Sequence, residues 1–229
     1  MKKMIIAAGW AACAICLAAA LTAPAETAAQ EPPEAVLARM EKTFAGMTSF
    51  QVDFEQTSTS MTSTLPMTQK GRAFFRRPDA MRWEYGAPEK NIYVFKAGLL
   101  LSYFPDDNQL WRQQVPPERS EIEILGLLSG KGGLAKKYIV ENNPFPESAP
   151  GSAQLKLTPK EEGEYSHFLL EIDRASGILR RVLLFDWGEN RTEFVFSKLK
   201  PGARLADSVF DIKVPGNCEI IDETGTIKR

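Results

Sequence analysis

Gln69-Lys70-Gly71-Arg72-Ala73-Phe74-Phe75-Arg76-Arg77-Pro78, followed shortly by Met81-Arg82-Trp83-Glu84-Tyr85, is the stretch that decides the fold. In the first half Lys70, Arg72, Phe74 and Arg76 share one parity, and Gly71, Ala73, Phe75 and Arg77 share the other. In the second, Met81, Trp83 and Tyr85 alternate with Arg82 and Glu84. Successive side chains of a strand point to opposite faces, so this period of two predicts two extended runs, Gln69–Arg77 and Met81–Tyr85, parted at Pro78.

The same period extends outward. Phe50, Val52 and Phe54 alternate with Gln51, Asp53 and Glu55, and further runs fall at Asn91–Lys96, Leu99–Phe104 and Gln109–Gln114. A second block covers Tyr138–Glu141, Ala153–Thr158, Ser166–Asp173, Ile178–Asp186 and Arg191–Leu199. Turn clusters such as Asp106-Asp107-Asn108 and Ala175-Ser176-Gly177 separate them. About eleven strands with connections this short imply antiparallel hairpins rather than βαβ units. Two helices accompany them. Val36, Leu37, Met40 and Phe44 form one stripe between Pro32-Pro33 and Gly46, and Ile122, Leu125 and Leu128 recur at helical spacing over Glu118–Ser129. Leu134–Lys137 adds a further turn after the break at Lys131-Gly132-Gly133. The expected fold class is therefore mainly β (α+β). A sheet this wide tends to curl or close, leaving a lumen that its own side chains do not fill. Strand segments apolar on both parities, Leu99-Leu100-Leu101 and Phe168-Leu169-Leu170, add to the expectation of an apolar cavity under a helical lid.

The chain has 229 residues, with 28 basic and 29 acidic side chains, one His and three Cys. Residues 1–25 read as a cleaved signal peptide: Met1-Lys2-Lys3, an apolar run from Met4 to Leu21, and the small-x-small site Ala23-Pro24-Ala25. What remains, 26–229, is expected to be a single domain of 204 residues with 26 basic against 29 acidic groups. Cys13 and Cys16 leave with the leader, so Cys218 alone remains and no internal disulfide is expected. An exported, monomeric protein stable through its core alone is the reading. A balance this close to neutral, without a basic stripe, argues against nucleic acid.

Chemistry-bearing motifs are few. His167 is the only imidazole, the carboxylate pairs Asp106-Asp107 and Glu161-Glu162 lie in turns, and neither a phosphate-binding loop nor a dinucleotide fingerprint is present. No catalytic residue, metal site or cofactor is expected. Arg77 is the residue of interest, because its parity places a guanidinium on the small, apolar face. There it needs acceptors, such as the C-terminal carbonyls of a lid helix, since an unpaired buried charge is costly. The alternative is that Pro78 ends the strand and Arg77 reaches solvent. The Met81-Trp83-Tyr85 face is likewise either ordinary core or ligand lining.

Phe50-x-x-x-Phe54-x-Gln56, then Gly71-x-x-x-Phe75-x-Arg77-Pro78, then Arg82-Trp83-x-Tyr85-x-x-Pro88 resembles the periplasmic outer-membrane lipoprotein carrier (LolA) family. Leu125-x-Leu127-Leu128 and Leu155-x-Leu157-Thr158-Pro159-Lys160 continue the likeness, which runs from about Val36 to Asp222. The resemblance implies an incomplete antiparallel barrel of about eleven strands whose helical lid covers an apolar cavity for acyl chains. It implies a periplasmic carrier that takes lipoproteins from an inner-membrane ABC transporter complex and gives them to an outer-membrane receptor lipoprotein. It makes Arg77 the lid-gating residue, and Phe54, Phe75, Trp83, Tyr85, Leu37, Met40, Leu125 and Leu128 the candidate acyl-chain contacts. One departure stands out. Where the family commonly carries Leu-Trp-x-Tyr after the Gly corresponding to Gly98, this chain reads Leu101-Ser102-Tyr103-Phe104. Related folds serve as lipid or glycolipid shuttles and as envelope sensors or scaffolds, so the fold alone does not fix the cargo.

Overall fold

A computed structural model describes residues 31–62, 65–115, 127–128, 132–145 and 148–224. The expected signal peptide lies outside these residues. So does the expected helix Glu118–Ser129, apart from Leu127 and Leu128, which have helical backbone.

Helix α1 (Pro33–Ala45) begins with proline in its first turn, where a missing N–H costs nothing, and stops at Gly46, whose N–H returns to the Lys42 carbonyl at 3.0 Å. Its apolar stripe, Val36, Leu37, Met40 and Phe44, is no more than 1% exposed. What buries it is one large sheet: β1 (Ser49–Thr59), β2 (Met67–Arg76), β3 (Ala80–Tyr85), β4 (Ile92–Lys96), β5 (Leu99–Phe104), β6 (Gln109–Gln114), β7 (Tyr138–Asn142), β8 (Ser152–Pro159), β9 (Tyr165–Asp173), β10 (Leu179–Asp186), β11 (Arg191–Pro201) and β12 (Glu219–Glu223). A single turn, α2 (Leu134–Lys137), precedes β7. The order across the sheet is β12-β6-β5-β4-β3-β2-β1-β11-β10-β9-β8-β7, so it is open, with β12 and β7 as its edges.

The eleven expected strands are all present as β1 to β11, and a twelfth joins them among the described residues. The added strand, β12, runs parallel to β6, whereas every other pair is antiparallel. Glu219-Ile220-Ile221-Asp222-Glu223 gives no alternation, because an edge strand held by side-chain bonds needs no buried face. Gln109 and Gln113 donate to the Glu219 and Glu223 carboxylates at 2.8 Å, and Arg112 pairs with Asp222 at 3.1 Å.

Strands β2 to β5 are covered on their convex face as well, and this accounts for the apolar residues Phe74, Val94 and Leu101 on that parity. On the concave face, α1, Leu127, Leu128 and Leu134 pack into one core with strands β1–β3 and β7–β11. On the convex face, Phe210 packs against Ala80 and Val94, with Phe74, Ile92 and Leu101 around it. The segment carrying Phe210, with its 3-10 helix Asp207–Phe210, is bound by arginines of opposite parity to Arg77. Arg76 donates to the Leu205 carbonyl at 3.1 Å and pairs with Asp207 at 2.7 Å, and Arg82 donates to the Val209 carbonyl at 3.1 Å. Leu101 thus faces this cover rather than a wider lumen.

Candidate functional site: the concave face beneath α1

The concave face is built by register. Phe54 opposes Gly71 on β2, and Gly71 opposes Tyr85 on β3. A Cβ at position 71 would lie 2.3 Å from Phe54 Cζ and 2.3 Å from the Glu84 carbonyl oxygen, so only glycine lets the Phe54 ring lie across the strand. That ring sits 4.6 Å from Trp83 and 5.1 Å from Tyr85, centroid to centroid. Trp83 in turn approaches Phe194 at 5.7 Å and Phe196 at 6.4 Å, and Tyr85 leads through Tyr93 at 5.9 Å to Phe104 at a further 6.0 Å. An aromatic run therefore crosses the concave face from β11 to β5. Burial pushes the Tyr85 hydroxyl well above the usual phenol range, so it stays neutral and donates to Gln56 Oε1 at 2.6 Å.

Leu37, Met40, Phe54, Phe75, Trp83 and Leu128 belong to one buried cluster, and Tyr85 packs on its edge. Leu125 lies outside the described residues. The polar ties of α1 ring this cluster. Arg77 lies just past β2 and donates from Nη2 to the Phe44 carbonyl at 3.0 Å and from Nε to the Met47 carbonyl at 3.1 Å. These are C-terminal carbonyls of α1 and its exit, groups a helix leaves without internal partners. Along the other flank, Thr43 Oγ1 donates to the Ser176 carbonyl at 2.7 Å, and Arg39 Nη1 to the Arg174 carbonyl at 2.7 Å while also pairing with Glu31. Gly177 makes this approach possible: a Cβ there would lie 2.6 Å from Thr43 Oγ1, and its φ of +69° is left-handed. Glu41 accepts from the Leu134 N–H at 2.8 Å.

Sequence reasoning singled out Arg77 by parity but missed Arg39, Thr43 and Gly177. Their partners lie some 130 residues away and carry no periodic signal. Gly177 alone left a trace, as a turn glycine.

Between Phe44, Phe50, Val52, Leu128, Leu179 and Phe196 lies a cavity of about 270 Å³. Pockets that hold whole ligands usually span about 300–1,000 Å³, so in this arrangement the space under α1 is small. A larger groove of about 660 Å³ on the opposite side of β1 is lined by charges already paired: Lys70 with Glu55 at 2.9 Å, and Asp53 with Arg72 at 3.3 Å and Lys198 at 3.2 Å. His167 stacks flat on Phe185 at 4.4 Å on the convex side, away from the site. Among the described residues no group of three or more His, Cys, Asp or Glu side chains could hold a metal ion.

An open half-barrel whose concave apolar face is stoppered by a tethered amphipathic helix defines a class of binding protein for apolar groups. The family model for the outer membrane lipoprotein carrier protein LolA matches residues 45–213, and the chain belongs to that family. It is 25% identical over 223 residues to an outer-membrane lipoprotein carrier protein of Cupriavidus necator, covering 97% of this chain and 100% of the relative. To its counterpart in Cupriavidus taiwanensis it is 24% identical, covering 93% and 96%. The fold matches the crystal structure of an uncharacterized conserved protein from Thermus thermophilus with a TM-score of 0.55 at 14% identity, covering 83% of this chain and 98% of that one. The family is one of outer-membrane lipoprotein carriers.

Proposed function

We propose that this protein, exported after loss of residues 1–25 and acting as one domain over 26–229, binds the acyl chains of lipoproteins released by an inner-membrane ABC transporter complex. It delivers them across the periplasm to an outer-membrane receptor lipoprotein, as a monomer and without a cofactor. The observation that carries this reading is the seating of the α1 stripe in the concave face, fastened by Arg77. Arg77 is the lid-gating residue, and Phe54, Phe75, Trp83, Tyr85, Leu37, Met40 and Leu128, with Leu125, are the acyl contacts.

Energetics support an exchange. Fully burying a Leu-, Met- or Phe-sized side chain contributes about 1.5–3 kcal/mol, so withdrawing the four α1 residues costs about 6–12 kcal/mol. A 16-carbon chain left in water costs on the order of 12 kcal/mol at about 0.8 kcal/mol per methylene. One acyl chain taking the place of the α1 stripe therefore offsets the loss, and the carrier needs no motor of its own. The small cavity serves as a starting point that widens as α1 withdraws and its bonds to Arg77 part.

The test is transfer between purified components. Arg77→Leu should fold and load but cycle poorly, so that loaded variant passes lipoprotein to its receptor more slowly than wild type. Transfer at the wild-type rate from the loaded variant would sink the proposal. A protein that binds no acyl chain at all would instead be a sensor or scaffold on the same fold.

A further inference from the structure

A second pocket opens on the concave face at the far end of the aromatic run. It measures about 400 Å³ and is lined by Ser102, Phe104, Asp107, Gln109, Trp111 and Gln113. Register fixes its geometry: Ser102 on β5 opposes Tyr93 on β4 and Trp111 on β6, and Phe104 opposes Gln109, so these side chains share the face that Trp83 and Tyr85 occupy. Ser102 is only 7% exposed, and its hydroxyl, which borders this pocket and stays open to it, makes no hydrogen bond to another described residue. Its donor and acceptor capacity is therefore met by water, or by a hydroxyl of whatever enters the pocket.

The other polar groups are held in place. Gln109 Nε2 donates to Glu219 and Gln113 Nε2 to Glu223, each at 2.8 Å, and Gln109 Oε1 accepts from Trp111 Nε1 at 3.3 Å. Each amide nitrogen keeps a second hydrogen, and Gln113 keeps its carbonyl oxygen. The strand β12 thus fixes two amides beside an indole and a phenyl ring. Asp107 at the pocket and the two glutamates behind the amides make the surroundings acidic, which disfavours an anionic ligand. Hydroxyl and amide groups beside aromatic faces suit a neutral, hydroxylated group that presents both O–H and C–H surface.

We infer that this pocket is the subsite for a neutral hydroxylated head group, a glycerol-like or sugar-like polyol, whose attached acyl chain lies along the aromatic run toward the cavity beneath α1. Phe196 lines that cavity and Phe104 lines this pocket, so the run Phe196–Trp83–Phe54–Tyr85–Tyr93–Phe104 joins the two. The inference rests on the carrier reading above and adds to it the position and chemistry of the cargo's polar end. Ser102 is a specificity-determining residue: its hydroxyl exchanges water for a hydroxyl of the head group.

Two neutral ligands with the same acyl ester, monolauroylglycerol and propyl laurate, differ only in the two glycerol hydroxyls. Each is titrated against the protein carrying an anthroyloxy-labelled stearate, and displacement is read by fluorescence. Wild type should bind monolauroylglycerol about fivefold more tightly, the value expected of one added net hydrogen bond. Ser102→Ala should lose that preference while its affinity for propyl laurate stays within about twofold, and Ser102→Leu, which fills the pocket, should do the same. Equal binding of the two esters by wild type, a preference that survives in both variants, or an equal loss for both esters overturns the subsite and leaves the carrier reading standing. Failure of wild type to bind the labelled stearate or either ester overturns the carrier reading, and the subsite with it.

Discussion

Arg77→Leu removes two donors that a permanently charged group offers to carbonyls at the end of α1. Hydrogen bonds to charged groups contribute about 1.5–3 kcal/mol each; both bonds here are part-buried, so water reaching the freed carbonyls offsets part of that loss. The combined loss is then about 2–3 kcal/mol, which at about 1.4 kcal/mol per tenfold raises the population with α1 detached by about 30- to 150-fold. The sheet keeps its ladder hydrogen bonds, so the effect should stay local. Amide hydrogen exchange resolved by residue is the assay. The amides of Leu37 to Phe44 should exchange about 30- to 150-fold faster in the variant, while those of Leu170 and Ile172 in β9 keep their wild-type rates. Unchanged protection of α1 would refute the role given to Arg77. A loss shared equally by β9 would show that α1 does not detach as a unit.

Gly177→Val should loosen the same helix from its other flank, because the added side chain meets Thr43 and the Arg39 carbonyl in a left-handed backbone; faster α1 exchange with Arg77 intact is the expected readout. Gly71→Ala places a methyl against the Phe54 ring and the Glu84 carbonyl, and urea denaturation should show a loss of about 1–3 kcal/mol, the usual cost of overpacking. The Arg180 guanidinium, together with the Ser176 hydroxyl and N–H, holds the Asp173 carboxyl well below its usual range. A depressed pKa contributes stability that is present above the unfolded value, near pH 4, and is lost as pH falls through the folded one. The stability of wild type should therefore drop below about pH 4 more steeply than that of Asp173→Asn, as measured by denaturant titration at each pH; identical slopes would remove Asp173 from the account.

Strand positions were legible wherever a strand has one buried face or two. The alternation of Phe50, Val52 and Phe54 follows directly from the concave core, and Gly71 and Trp83 fall where that alternation places them. β12 was not legible, since a short edge strand fastened by Gln–Glu bonds carries no hydrophobic period. The two-sided apolar runs were legible as a pattern but misleading as to cause. Leu101 and Phe74 face the segment around Phe210, which returns from the far end of the chain, and nothing local in either run distinguishes that cover from a cavity. Arg77 was open to both readings because parity fixes the side a residue faces but not its acceptors. The pocket at Ser102 depended on cross-strand register, which brings Ser102 and Trp111 opposite each other, and on a missing partner that only three dimensions reveal.

If acyl chains enter where α1 now sits, a bound chain must displace the helix. Amide hydrogen exchange of wild type with and without the labelled stearate tests this most directly. Bound stearate should speed exchange at Leu37 to Phe44, the buried stripe of α1, while Leu170 and Ile172 in β9 keep their rates. Unchanged protection of α1 with stearate bound would contradict this, because it would place the acyl chain somewhere that α1 does not occupy.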